Sequence, residues 1–186
     1  MSGPFVPATS IAVFGSSQPR PADEAYRTAR RVGELLATAG YGVITGGYGG
    51  VMEAASRGAR EAGGQTIGVP CGTFKGRRPN SWVTDVVPAD DLYDRTRELI
   101  ERAAGYIVLP GKAGTLAELA FLWALNRAGC LDGRPVVLLG AVWPSLMELL
   151  ESTSMLEQDQ LRHTHRVESP EQAVETLVRL LRTPRS

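Results

Sequence analysis

The chain has 186 residues, and its 20 basic side chains (Lys and Arg) balance its 20 acidic ones, so the formal net charge is zero. This length predicts one domain with a sizeable core, and the absence of a basic tract argues against binding to a nucleic-acid backbone. Two cysteines and two histidines, scattered along the chain, do not form a disulfide framework or a zinc site.

The chain contains no apolar run long enough for a membrane span, and its first ten residues lack the basic start and apolar stretch of a signal peptide. We therefore expect a cytoplasmic protein without membrane contact, with residues 1–10 as a loose tail and residues 11–183 as the folded domain.

Apolar runs alternate with amphipathic segments along the whole chain. The predicted strands are 11–14, 42–45, 66–69, a short one at 85–87, 106–109 and 135–139. Helices are predicted between them at 22–39, 51–62, 90–104 and 113–128, and after the last strand at two places: one helix starts with residues 144–150, and the final helix contains 174–181. This alternation predicts a single α/β domain with a doubly wound parallel sheet of about six or seven strands. In such sheets, ligands bind at the carboxyl ends of the strands.

The segment Gly105–Glu118 carries the strongest functional signal. An apolar strand ends at Pro110-Gly111, and a helix begins near Ala113, so free backbone amides face back over the strand end. Such a helix start binds anions. The candidate phosphate-binding residues are therefore Pro110, Gly111, Lys112, Ala113, Gly114 and Thr115.

Glu118 lies one turn inside the same helix. A carboxylate is a poor phosphate ligand, which suggests that it acts on a group attached to the phosphate. The alternative is that the glycine turn is only tight packing and that Glu118 only complements the helix dipole.

Two further glycine-rich loops follow predicted strands and are expected at the same edge of the sheet. Neither they nor the segment above matches a Walker A loop or the G-x-G-x-x-G pattern of nicotinamide-binding folds. They add candidate nucleotide-binding residues Gly15, Ser16, Gly46, Gly47, Gly49, Gly50 and Met52. A plain turn at 46–50 is the alternative interpretation.

Some neighbouring side chains have two open interpretations. Tyr48 either stacks on a base or packs within the protein. The predicted loop 71–83 carries Lys75, Arg77 and Arg78, which either cover a ligand or face solvent.

These residues resemble the LONELY GUY family. The similarity covers residues 11–139 and lies in Gly15-Ser-Ser, in Thr45-Gly-Gly-Tyr-Gly-Gly-Val-Met-Glu and in Pro110-Gly-Lys-Ala-Gly-Thr-Leu-Ala-Glu. The resemblance implies a Rossmann-like fold, usually dimeric, that cleaves cytokinin riboside 5′-monophosphates. It also implies catalytic roles for Glu118 and for Arg95, which matches the family's catalytic arginine by spacing.

The chain departs from the family pattern at several positions. Lys112 replaces the second glycine of the signature, Thr96 replaces the lysine after the arginine, and Ala117 replaces the first of two glutamates. The loop at 46–50 is shorter and is similar to that of relatives that resemble molybdenum-cofactor carrier proteins.

The sequence therefore predicts a phosphoribohydrolase that needs no cofactor or metal and that releases a free base and ribose 5-phosphate from a small-molecule nucleotide. Glu118 would stabilise the oxocarbenium-like transition state or orient water, and Arg95 would contact the phosphate or the leaving base. Two alternatives remain: a non-enzymatic carrier of a nucleotide-like ligand such as the molybdenum cofactor, and a structural oligomer with a relic site.

We also expect a homodimer, because the helix after the signature exposes more apolar side chains than one core-facing stripe needs, namely Leu119, Phe121, Leu122, Trp123 and Leu125.

Overall fold

The computed structural model describes residues 9–183, which form one α/β domain of Rossmann-like topology. Seven parallel strands form one sheet in the order β4-β3-β2-β1-β5-β6-β7. The strands are β1 (Ser10–Phe14), β2 (Gly42–Thr45), β3 (Thr66–Gly68), β4 (Asp85–Val86), β5 (Ala103–Val108), β6 (Val136–Leu139) and β7 (Thr164–Val167). The helices are α1 (Glu24–Thr38), α2 (Val51–Glu61), α3 (Leu92–Glu101), α4 (Ala113–Arg127), α5 (Val142–Ser152), α6 (Gln158–Leu161) and α7 (Pro170–Arg182).

The predicted doubly wound sheet is confirmed, and the reason is visible in its central strands. Every residue of β1, β2 and β6 is buried. Alternate residues of β1 enter different core clusters: Ile11 and Val13 pack on the face covered by α1, α2 and α7, whereas Ala12 and Phe14 pack on the other. Strands covered on both faces must be continuously apolar, which made them visible in the sequence.

The junction of α3 and β5 differs from the prediction, since α3 ends at Glu101 and β5 already begins at Ala103. Arg134 explains the early end: its guanidinium donates to the carbonyl oxygens of Ile100 at 2.7 Å and Ala103 at 3.0 Å. The hydroxyl of Tyr106 also donates to Ile100, at 2.9 Å. These contacts satisfy carbonyl groups that a longer helix would have bonded internally.

The seventh strand and the short helix before it were not among the predicted elements. Strand β7 lies at the edge of the sheet, pairs only with β6 among the described strands, and is half-exposed. Such a strand has no apolar run to reveal it. The predicted tail, residues 1–10, stays a prediction, because residues 1–8 lie outside the described residues. Strand β1 begins at Ser10, one residue before the predicted start of the domain.

The prediction that α4 exposes a broad apolar surface is wrong for three of its five side chains. Leu119, Leu122 and Trp123 are buried in the core, and the indole of Trp123 donates to the Thr164 hydroxyl at 3.1 Å. Phe121 is 50 % exposed.

Between residues 9 and 183, no helix is long and apolar enough to cross a membrane.

Candidate functional site

The three predicted loops meet because β2, β1 and β5 are neighbours in the sheet and end at the same edge. Backbone hydrogen bonds join them. The amide of Ser16 donates to the carbonyl of Pro110 at 3.3 Å, and the amide of Val51 donates to the carbonyl of Ser16 at 2.9 Å. The loop after β1 is therefore held between the other two.

A cleft of about 170 Å³ opens where the loops meet. Nine of the predicted site residues line it: Gly15, Ser16, Gly46, Met52, Arg95, Lys112, Gly114, Thr115 and Glu118. The remaining lining residues are Val13, Phe14, Ser17, Tyr48, Phe74 and Arg77. Six predicted binding residues belong to the supporting loops but do not line the cleft: Gly47, Gly49, Gly50, Pro110, Gly111 and Ala113.

Arg95 reaches the floor of the cleft from α3. Its Nε donates to the carbonyl of Val69 at 3.0 Å, and its Nη2 lies 3.6 Å from the sulfur of Met52. A Cβ added to Gly46 would lie only 1.5 Å from this Nη2. Position 46 must therefore be glycine for the guanidinium to occupy this place.

Glu118 extends from the second turn of α4 to the same cleft. The residue is only half-buried, because the cleft above it is open, but protein atoms surround its carboxyl group. This burial raises the pKa of Glu118 to about 7, and the positive charge of Arg95 opposes part of the increase. A carboxyl group that titrates near neutral pH can accept or donate a proton during a reaction.

The start of α4 retains its capacity to bind an anion. Lys112 is the N-cap residue, and its side chain makes no capping hydrogen bond. The side chain of Thr115 packs over Gly111, where an added Cβ would lie 2.1 Å from its hydroxyl oxygen. Thr115 is buried and still lines the cleft, so its hydroxyl and the first-turn amides are available to one ligand group.

The start of α2 has a different role. Its N-cap, Gly50, has a φ of +69°, and an added Cβ would lie 2.4 Å from the carbonyl oxygen of Ser16. The first amide of α2 bonds to this same loop, and Glu53 accepts a hydrogen bond from Tyr26 at 3.1 Å. This end of α2 therefore supports the loop after β1, while Met52 contributes the contact with Arg95.

A segment that we call the covering loop, residues 72–83, forms the remaining wall. Phe74 packs edge-on against Tyr48 with ring centroids 5.6 Å apart. Asn80 anchors the loop, because its side-chain amide donates to the carbonyls of Gly47 at 3.0 Å and Tyr48 at 2.9 Å. The sequence pattern identified neither Phe74 nor Asn80 as part of the site.

The structure places the four side chains whose interpretation the sequence left open. Tyr48 is buried, and its hydroxyl accepts a hydrogen bond from the amide of Cys71 at 2.9 Å, so it packs within the protein and also forms part of the cleft wall. Lys75, Arg77 and Arg78 are all exposed, and of these three Arg77 lines the cleft. Within residues 9–183, no three His, Cys, Asp or Glu side chains gather to hold a metal ion.

A model of the SLOG cluster4 family matches residues 8–174, a range that contains the whole cleft. The chain belongs to the SLOG cluster4 family. This SLOG protein is 30% identical over 131 residues to the cytokinin riboside 5′-monophosphate phosphoribohydrolase of Mycobacterium tuberculosis, a similarity that covers 69% of each chain. The resemblance to the LONELY GUY family is thereby confirmed.

Solved structures give a second set of relatives. The molybdenum cofactor binding protein from the phototrophic bacterium Rippkaea orientalis shares the fold, with a TM-score of 0.75, 24% identity and coverage of 94% of this chain and 98% of that one. The molybdenum cofactor carrier protein from Chlamydomonas reinhardtii has a TM-score of 0.70 and 25% identity, covering 95% and 99% of the two chains. The SLOG chain is therefore similar both to hydrolases and to carriers.

Proposed function

We propose that this protein is a nucleoside 5′-monophosphate phosphoribohydrolase that uses water to release a free base and ribose 5-phosphate. The observation that carries the proposal is the pairing of Glu118, whose pKa is about 7, with Arg95 at the floor of a cleft that also contains the start of α4. The named hydrolase relative supports the reaction class.

The reaction follows from the placement of these groups. The amides at the start of α4 and Thr115 hold the 5′-phosphate and thereby position the sugar. The bond between C1′ and the base nitrogen breaks, its electron pair leaves with the base, and positive charge develops on the sugar. Ionised Glu118 stabilises this charge and accepts a proton from the attacking water, whose oxygen bonds to C1′. The proton taken by Glu118 passes to the departing base, directly or through water, so Glu118 is ionised again and the products are the free base and ribose 5-phosphate.

The test combines turnover with binding. Purified protein is incubated with a panel of nucleoside 5′-monophosphates, including N6-modified adenosine monophosphates, and free base is measured by chromatography. In Glu118→Gln, we expect turnover to fall by about 100-fold or more, while calorimetric affinity stays within about threefold, because the lost interaction exists mainly in the transition state. The control is Glu175→Gln, which removes an exposed carboxylate of α7. Wild-type turnover in Glu118→Gln would refute the catalytic assignment.

A carrier function is the second candidate, favoured by Lys112 in place of a signature glycine and by the two molybdenum-cofactor proteins that share the fold along nearly their whole length. In that case the cleft would hold a nucleotide-like cargo such as the molybdenum cofactor without converting it. Tight binding with no free base after long incubation would support the carrier and refute the hydrolase.

We also propose that the protein forms a homodimer through α3 and α4. A groove of about 1000 Å³ runs between these helices, and its lining includes Leu92, Tyr93 and Phe121. These side chains are 46 %, 86 % and 50 % exposed, so three large apolar side chains line one exposed groove, and such neighbouring apolar side chains are common at protein–protein contacts.

Light scattering at micromolar concentration should give the mass of a dimer, and Phe121→Glu should give a monomer. The matched control is Leu149→Glu, at a leucine of α5 that is 58 % exposed. A monomeric wild type, or equal effects of both variants, would refute this interface.

The proposed place of action is the cytoplasm. Cys71 and Cys130 are both free thiols, which a reducing compartment preserves. Recovery of the protein mainly outside the cytoplasmic fraction of its cell would contradict this.

A further inference from the structure

Two basic side chains of the cleft have no acidic partner. Among residues 9–183, Arg77 and Lys112 are in none of the ion pairs, although six other arginines pair with carboxylates. Both line the cleft. They therefore add two positive charges to a site whose floor already holds Arg95 beside Glu118.

The two cations belong to different walls. Lys112 is the N-cap of α4 and follows β5. Arg77 belongs to the covering loop, and its Cζ lies 5.9 Å from the ring centroid of Tyr48, which follows β2. Strand β1 separates β2 from β5 in the sheet, so the two strand ends are about 10 Å apart, or two strand spacings.

Aromatic contacts hold Arg77 without using its hydrogen-bond donors. Its Cζ also lies 5.6 Å from the ring centroid of Phe74, and Phe74 packs on Tyr48. A guanidinium over aromatic rings keeps its N–H groups free to bind an anion in its own plane. Within the described residues, the Arg77 side chain donates no hydrogen bond to the protein, so these groups remain available to a ligand.

One phosphate at the start of α4 would be held by the free amides, Thr115 and Lys112. Arg77 lies elsewhere in the lining, over the rings of Tyr48 and Phe74, which also contact Arg95. We propose that the cleft selects a nucleotide with two separated anionic groups: its 5′-phosphate at Lys112 and a second phosphate or an anionic base at Arg77. This inference rests on the proposed nucleotide site and specifies its substrate class.

Calorimetric titrations at constant ionic strength test the proposal with three probes: adenosine 5′-monophosphate, adenosine 3′,5′-bisphosphate and xanthosine 5′-monophosphate, whose base ionises near neutral pH. Chromatography measures any free base after each titration, and for a probe that is cleaved all titrations are made in a Glu118→Gln background, where turnover is expected to be lost and affinity kept. We expect wild-type protein to bind the bisphosphate or the xanthine nucleotide at least 10-fold more tightly than adenosine 5′-monophosphate. The ligand that binds more tightly shows whether the second anion is on the sugar or on the base.

The variants separate the two anion sites. Arg77→Met should reduce the preference to less than twofold and leave the affinity for adenosine 5′-monophosphate within about twofold. Arg77→Lys keeps the charge and should keep at least a threefold preference, whereas Lys112→Met should weaken all three ligands by a similar factor. Arg78→Met is the matched control, because Arg78 is the exposed neighbour of Arg77 and does not line the cleft. This variant should keep the full preference.

Equal binding of all three probes to wild-type protein, or a preference that survives Arg77→Met or is lost in Arg78→Met, would overturn the inference and leave the proposed nucleotide site intact. Binding of none of the probes would overturn the proposed nucleotide site and this inference together.

Discussion

Glu118→Gln should stabilise the folded protein at alkaline pH, and this effect can be measured without any ligand. Burial raises the pKa of Glu118 from 4.5 to about 7. Below pH 4.5, the group is protonated in both the folded and the unfolded chain. Between pH 4.5 and 7, the folded chain binds more protons than the unfolded chain, so the free energy of unfolding falls as pH rises. Above pH 7, the folded protein carries the full free-energy cost of a buried, ionised carboxylate.

The magnitude follows from the size of the shift. One pKa unit corresponds to about 1.4 kcal/mol, so the shift from 4.5 to about 7 corresponds to about 3 kcal/mol. The open cleft admits water, which screens part of this cost, and we expect about 1 to 2 kcal/mol. Glutamine keeps the size of the side chain and cannot ionise, so the variant avoids the cost at every pH.

Urea denaturation of wild type and variant at pH 5 and pH 8 is the assay. The stability difference in favour of Glu118→Gln should grow by about 1 to 2 kcal/mol between the two pH values. The exposed carboxylate removed in Glu175→Gln serves as control, and its removal should change the free energy of unfolding by less than about 0.5 kcal/mol at either pH. A Glu118→Gln difference that is the same at both pH values would show that burial does not disfavour the charged carboxylate.

Two further substitutions test the geometry of the floor and of the phosphate site. In Gly46→Ala, the new Cβ would take the place of the Arg95 guanidinium, from which it would lie 1.5 Å. We expect kcat to fall about 100-fold, since displacements of this size have such effects, and unchanged kinetics would remove Arg95 from the mechanism. In Thr115→Val, the hydroxyl is lost while the amides of α4 remain, so affinity should fall about fivefold with the single-turnover rate preserved. A rate that falls with unchanged affinity would place Thr115 at the reacting atoms instead.

The sequence predicted the parts of the molecule in which local pattern and burial agree. The strand at 106–109 and the loop and helix after it placed Thr115 and Glu118 at one edge of the sheet, because a buried parallel strand is continuously apolar and a helix starts with free amides. Phe74 could not be found in this way, and no pattern distinguished Arg77 from Lys75 and Arg78 in the same loop. Their positions depend on hydrogen bonds from Asn80 to the loop after β2, contacts that no periodicity encodes.

The same limit applies to the surface of α4. Apolar residues lie all around this helix, so the sequence does not show which side faces the core. The sequence analysis therefore placed Leu119 and Trp123 on an exposed apolar face. In the fold, both are buried in the core on one face of the sheet, where Trp123 bonds to Thr164 of β7 and α4 contacts α6. The edge strand β7, which contacts Trp123 through Thr164, was itself not predicted.

Because Glu118 titrates, the pH dependence of affinity and of kcat distinguishes a hydrolase from a carrier. Burial already raises the pKa of Glu118 to about 7. A phosphate bound at the start of α4 would add negative charge near the carboxyl group and raise its pKa further. Binding therefore takes up a proton, and affinity should fall as pH rises from 6.5 to 8.5. Turnover requires the ionised carboxylate, so kcat should rise over the same range. Comparison with Glu118→Gln cancels the titration of the ligand's own phosphate.

A carrier would show the fall in affinity without any product, whereas a hydrolase would show affinity and kcat changing in opposite directions. If calorimetry gives wild type and Glu118→Gln the same pH dependence of affinity, ligand binding does not change the pKa of Glu118. Glu118 would then lie too far from the bound phosphate to act on the sugar attached to it, and neither function could be assigned to this residue.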